Sequence, residues 1–374
     1  MENTPFLIFC LLSASNVSLK GSNDFFKDYI DLKNTFSIKG IFVWLIIFYH
    51  YSHYEWRKKY IFEIIVDYVG QKMVSMFLFY SGYGIYESVK KKGNKYAKSL
   101  LTKSLIILIK SELIILIYAL RCIIYRKEVS LKKFILTIFF KTSIGNSYWF
   151  AYTIILYYFY AYLSFVFIKN KKYNFVGIII ISVICYAHGY FTYFYYIQKS
   201  ISIDNTLPFI LGFIYSLVRN FTDKYIMKYD FSYFATYILI SLIYYYFYIH
   251  KEENIFMRIF LNGTFSILVI LTTMKMRFDN EILKFLNVHS YSIYLLQKAV
   301  LLTFYEEKYL KKHECIKIFI EIILIIFIAT TFDHYTAFID KYFKKVDNRL
   351  LNVKSNVKLV KDDESSKNAI DVKK

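Results

Sequence analysis

The sequence predicts an all-α polytopic membrane protein, a bundle of about ten transmembrane helices. Three observations carry this. Of 374 residues, 57% are hydrophobic and only 20% charged, which is more apolar and less charged than a soluble domain of this length. Apolar windows long enough to cross a bilayer recur along almost the whole chain. With only 2 Pro and 11 Gly in the chain, the windows read as continuous helices.

In chain order, residues 1–35 are expected to form a cytoplasmic or interfacial segment. The apolar run at 5–12 lacks a basic n-region and a cleavage site, so it reads as interfacial rather than as a signal peptide. Spans are expected at 36–54, 64–86, 103–124, 148–168, 175–194, 207–218, 231–249, 256–274, 290–304 and 316–332, the sixth and ninth being short. The stretch 131–140 is amphipathic and too short to span, so it belongs at an interface. Residues 36–342 then make one transmembrane domain. The tail at 343–374, rich in Lys, Asp, Asn and Ser, is expected to be disordered and cytoplasmic.

The net charge of +20 would suggest nucleic acid in a soluble protein. In a membrane protein it fits basic loops and contact with anionic headgroups, and no nucleic-acid motif competes. The loop set that contains both termini carries about twice the Lys and Arg of the other set, which is expected to put both termini on the cytoplasmic side of a cell membrane. The 39 Tyr and 37 Phe suit interfacial belts and helix packing. Cys10, Cys122, Cys185 and Cys315 are scattered, so neither a disulfide framework nor a metal site is expected. No HExxH, GxSxG or P-loop pattern occurs, which argues against zincin, α/β-hydrolase and ATPase chemistry.

Ionisable residues inside spans mark sites by default. Lys39 and His50 lie eleven residues apart in the first span, about three turns and roughly 16 Å, and therefore on one face. A cation at one end and an imidazole deeper in suit an anionic cofactor below and acid–base chemistry above. The plainer account has Lys39 snorkelling to headgroups and His50 capping the other interface. In the second span, Ser81 and Gly82 allow close approach of a ligand or of another helix. The cluster Lys90, Lys91, Lys92, Lys95, Lys98 and Lys103 sets topology or holds phosphates. Lys110 is expected to pair with a carboxylate or to line a polar cavity, with Glu321, Asp67 and Asp333 as candidate carboxylates in the spans. His188, His250, His289, His313 and His334 read as interfacial.

The order of these segments resembles acyltransferase family 3, integral-membrane enzymes that O-acetylate surface polysaccharides. Lys39-Gly40 with His50 is similar to the family's opening signature, with Lys where Arg is usual. The segment from Phe77 to Tyr83 resembles its aromatic Ser-Gly-Tyr element, and Lys98 and Lys103 stand in its basic stretch. Ser147-Tyr148-Trp149-Phe150, Leu207-Pro208-Phe209-Ile210-Leu211-Gly212 and Ser290-Tyr291-Ser292-Ile293-Tyr294-Leu295-Leu296 are similar to later family elements, with Gln297 where the family commonly has His.

The resemblance implies acyl transfer from cytoplasmic acyl-CoA, in the first instance acetyl-CoA, to a hydroxyl of a surface glycan or its lipid-linked precursor. His50 would be catalytic, as general base or acyl relay. Lys39 would act with it, and Lys98, Lys103, Ser81 and Gly82 would bind the donor. No tightly bound cofactor and no metal are implied, and the partners are acyl-CoA, the glycan acceptor and membrane lipids. Two other readings stand beside this one: a transporter or flippase of a lipid-linked glycan, and a non-catalytic relative.

Overall fold

The computed structural model describes residues 4–54, 61–168, 170, 173–195, 204–305 and 314–371, and the chain within them is almost entirely helical. In order the helices are α1 (Thr4–Ala14), α2 (Leu32–Tyr54), α3 (Ile61–Lys92), α4 (Asn94–Ile124), α5 (Leu131–Ile138), α6 (Tyr148–Val166) and α7 (Asn174–Tyr195). They continue with α8 (Thr206–Ile226), α9 (Asp230–Ile249), α10 (Ile255–Lys275), α11 (Glu281–Val288), α12 (Ser290–Tyr305) and α13 (Glu314–Asp371). Each of the ten apolar windows lies on its own helix, and the amphipathic stretch forms α5. Six helices are long and apolar enough to cross a membrane on those criteria alone: α2, α6, α7, α9, α10 and the first part of α13. The protein is a multi-pass membrane protein.

The four window-bearing helices outside that set are α3, α4, α8 and α12. Three carry charge along their length: Lys72 and Glu87 on α3, Lys103, Lys110 and Glu112 on α4, Arg219 and Asp223 on α8. The fourth, α12, has only 16 residues. Polar residues lower a helix's mean hydropathy and are tolerated at this depth only where they face protein or a cavity. These same four helices wall the cavities described below.

Helix α2 is the centre of the bundle and packs against α3, α11 and α12. Phe48 is fully buried, and Ile38, Phe42, Ile46 and Ile47 are buried beside it. Helix α1 lies across α2, with Phe6 edge-on to Phe48 at 5.4 Å and Phe9 against Trp44 at 5.4 Å. Around α2, α3 runs along α8, α4 along α6, α9 along α10 and α12 along α13. The periphery faces outward with large apolar side chains, as a lipid-facing surface must. On α9, Phe231, Ile238, Leu242 and Tyr245 are each more than half exposed.

One end of the bundle is tied by a two-stranded antiparallel ribbon, β1 (Val17–Leu19) with β2 (Met276–Phe278), in the register Val17 to Phe278 and Leu19 to Met276. Asn280 caps α11 by accepting from the backbone N–H of Ile282 and Leu283 at 2.9 and 3.1 Å. Its amide also donates to Leu12 O and Ser15 Oγ, fixing the N-terminal segment. The sequence gives no sign of this ribbon, because three residues are too few for a period-two pattern to register.

Helix α13 is drawn from Glu314 to Asp371 and so takes in most of the tail. From Glu314 to Asp371 there is neither Pro nor Gly, so no residue breaks the helix once the apolar first part has nucleated it.

Asp333 on α13 fastens the start of α12. One oxygen meets His289 Nδ1 at 2.6 Å, and the other accepts from Ser292 Oγ at 2.5 Å. Ser292 is buried. Asp333→Ala leaves that hydroxyl without its acceptor and is expected to cost about 1–3 kcal/mol. The check is a thermal melt of the purified protein, in which the variant's midpoint falls; an unchanged midpoint removes Asp333 from the fold's support.

Candidate functional site

The site is built on one face of α2. Lys39, Val43, Ile46 and His50 follow at steps of four, three and four residues, so they form a single stripe. Gly40 lets this helix carry a second one close by: a Cβ there would sit 2.1 Å from Leu283 O on α11. The short helix α11 can therefore press against the base of the stripe.

Two cavities open along it. The mouth, about 570 Å³, lies toward the ribbon end and is walled in part by Lys39, Tyr80, Tyr83, Lys91, Tyr96 and Arg219. An inner chamber of about 390 Å³ lies beyond, with Val43 and Ile46 of the stripe in its wall. Phe77, Ser81, Tyr158 and Ser290 line both, and they form the neck between them. Tyr294 borders the chamber, and its ring is 6.3 Å from the His50 ring, which also packs on Tyr49. His50 thus stands at the end of the path, one aromatic ring from the chamber.

Lys39 is held by aromatic faces. Its Nζ lies 4.8 Å from the Tyr80 ring centre and 5.8 Å from that of Phe36. Among the described residues no carboxylate comes within ion-pair distance of it. An ammonium that rests on ring faces rather than on a carboxylate leaves its N–H donors open to a guest.

Arg219 is a residue of the mouth that sequence reasoning missed. It donates to Tyr83 Oη at 2.8 Å and to Lys27 O at 3.0 Å, with Asp223 at 3.5 Å and Asp31 at 3.6 Å. A signal was present: Arg219 is seven residues after Gly212, hence on the same face of α8. Gly212 meets α3 closely, because a Cβ there would lie 2.2 Å from Phe79 O.

The other candidates divide. Ser81 is in the neck, its hydroxyl donating to Phe77 O at 2.8 Å. Gly82 is not in either wall. Its missing side chain is the partner of Gly212 in the crossing, where a Cβ would lie 2.1 Å from Phe209 O. Lys98 is exposed and outside both walls, because its position on α4 turns it away from the bundle. Lys103 does not line the mouth either. It donates to Tyr96 Oη at 2.8 Å, with its Nζ 4.0 Å from that ring's centre, and so props a wall residue from behind.

Lys110 does both things expected of it: it pairs with Asp340 at 2.8 Å, and the pair lines the chamber. Glu321 lies 4.0 Å from Lys317, both fully or almost fully buried. The side chain of Asp67 and residue His313 lie outside the described residues. His188 meets Tyr152 Oη at 3.4 Å, and His250 pairs with Glu253. Among the described residues no group of His, Cys, Asp and Glu could hold a metal ion.

The family model for an acyltransferase domain matches residues 29–332, which takes in α2 through α12 and both cavities apart from Asp340. The chain belongs to acyltransferase family 3. It is therefore an acyltransferase, and the resemblance read from Lys39-Gly40 through His50 holds over most of its length. No curated protein and no solved structure matches the chain. In this acyltransferase the neck and chamber suit a linear guest, cationic groups stand at one end of the path, and an imidazole stands at the other.

Proposed function

We propose that this acyltransferase is an O-acetyltransferase that moves an acetyl group from cytoplasmic acetyl-CoA to a hydroxyl of a cell-surface polysaccharide or its lipid-linked precursor. In this reading ten helices cross the cell membrane, both termini and the ribbon end are cytoplasmic, and the mouth opens to the cytoplasm. The observation that carries the reading is the stripe on α2, with Lys39 at the mouth, Val43 and Ile46 along the chamber and His50 beyond Tyr294. CoA is made inside the cell and surface glycans mature outside. A path through the bilayer joins the two without moving either whole substrate across.

The donor's phosphates rest at the mouth near Lys39, Lys91 and Arg219. Its arm passes the neck, and the thioester stops near the Tyr294–His50 contact. His50 takes the proton of the acceptor hydroxyl as the oxygen attacks the thioester carbonyl carbon. The C–O bond forms, the C–S bond breaks, and the proton passes from the imidazolium to the leaving thiolate. The products are the ester and free CoA.

Lys39 gives the donor test. A charge-assisted hydrogen bond is worth about 1.5–3 kcal/mol, so Lys39→Ala is expected to raise the KM for acetyl-CoA roughly tenfold or more. Lys39→Arg keeps the charge and is expected to stay near wild type. Steady-state kinetics with varied donor checks this. Equal KM values for wild type and Lys39→Ala would take Lys39 out of the donor site.

A further inference from the structure

Gln297 carries an open hydrogen-bond acceptor at the chamber. Its side chain is fully buried and belongs to the chamber wall. The amide Nε2 donates to Tyr294 O at 3.1 Å, which fixes the amide's orientation and leaves Oε1 as the group on offer. Oε1 has no hydrogen-bond partner among the described residues. A buried carbonyl oxygen left unmatched is costly, and a guest that supplies a donor removes the cost. Much of the surrounding wall, including Val43, Ile46, Phe150 and Ile154, offers no hydrogen bond, and the other polar groups of the wall include the Lys110–Asp340 pair and the hydroxyls of Ser81, Tyr158, Ser290 and Tyr291.

A second buried group has the same character. The Tyr80 hydroxyl in the mouth is buried and lacks a partner among the described residues. Each of the two joined cavities therefore holds a polar side chain waiting for a ligand. One extended guest that carries hydrogen-bonding groups along its length satisfies both.

We propose that Gln297 is a positioning residue for the acyl donor, its Oε1 accepting a hydrogen bond from the secondary amide N–H nearest the sulfur in the donor's arm. The inference rests on the reading of the donor as acyl-CoA. At neutral pH the phosphates and the thioester carbonyl present acceptors, so they do not match a bare acceptor oxygen. The amides between them present N–H groups. Gln297 lies one turn beyond Tyr294, the residue whose ring faces His50, so a group held there sits close to the thioester. Anchored at the mouth by its phosphates and near its end by this amide, the arm holds the carbonyl carbon at a fixed depth.

The test uses the purified full-length protein, acetyl-CoA and an analogue in which that amide N–H is replaced by an ester oxygen. Wild type is expected to bind the analogue up to about tenfold more weakly than acetyl-CoA. Gln297→Met, similar in length and without a strong acceptor, is expected to bind the two alike, at the weaker affinity. Its melting temperature without donor should stay level or rise, since no bare buried oxygen remains. Retained discrimination in Gln297→Met overturns the proposal. So does a Gln297→Met variant whose donor affinity is intact while its acceptor KM rises, because the oxygen then serves the acceptor hydroxyl. A wild type that binds no acetyl-CoA overturns the donor reading itself, an outcome distinct from the other two.

Discussion

His50→Ala is expected to lower kcat for acyl transfer by about 10²- to 10⁴-fold while leaving the donor's KM near wild type. The size follows from what a positioned general base contributes. The sparing of KM follows from the proposed layout, in which the donor's phosphates bind at the mouth, three helical turns from His50 along α2. His50 packs between Tyr49 and Tyr294, so removing the imidazole also removes two ring contacts. His50→Phe keeps a ring in that gap and cannot take a proton. If loss of activity comes from lost packing, His50→Phe recovers it; the account expects both variants to be equally inactive. Kinetics on both, with a melting curve for each, decides the matter.

Gly82→Val is expected to abolish folded protein. Gly82 and Gly212 face each other where α3 crosses α8, and each would place a Cβ within 2.2 Å of the opposite helix's backbone. Backbone atoms cannot swing aside as a side-chain tip can, so the helices must separate. Ordinary overpacking costs about 1–3 kcal/mol, and a backbone contact this close belongs at or above the top of that range. Separation would also open the mouth, because Tyr83 and Arg219, on the two crossing helices, meet beside it. Gly212→Val should fail in the same way, whereas Gly84→Val, where a Cβ meets nothing within 4 Å, should express normally. Yield of monodisperse protein after solubilisation measures all three. A well-folded Gly82→Val would show that the crossing is not a fixed point of the fold.

What could be read from the sequence, and what could not, follows from the physics of a single helix. Lys39 and His50 were legible because both lie on α2, where the 3.6-residue period alone decides that they share a face. That each window lies on a helix was legible for a similar reason, since apolar patterning is a local property, and six of these helices are long and apolar enough to cross a membrane. Arg219 and Tyr80 were missed because what matters about them is set by crossing helices, and a sequence does not show which helix crosses which. Lys98 and Lys103 show the same limit: dense positive charge was visible, but which lysines turn toward the cavities was not. Gly82 shows the same limit, since a small residue permits either a ligand or a neighbour, and here the neighbour is Gly212. The tail was read by composition, which measures how little apolar surface it can bury.

The central claim is that an acyl group passes from a CoA thioester to a glycan hydroxyl along the stripe on α2. The most direct measurement supplies membranes containing the full chain with acetyl-CoA labelled in the acetyl group and with the host's surface glycan. The account predicts label on the glycan as an alkali-labile ester, with an equal amount of free CoA released, and neither from membranes containing His50→Ala. Label transferred equally well by His50→Ala, or glycan moved across the membrane with no ester formed, would contradict it.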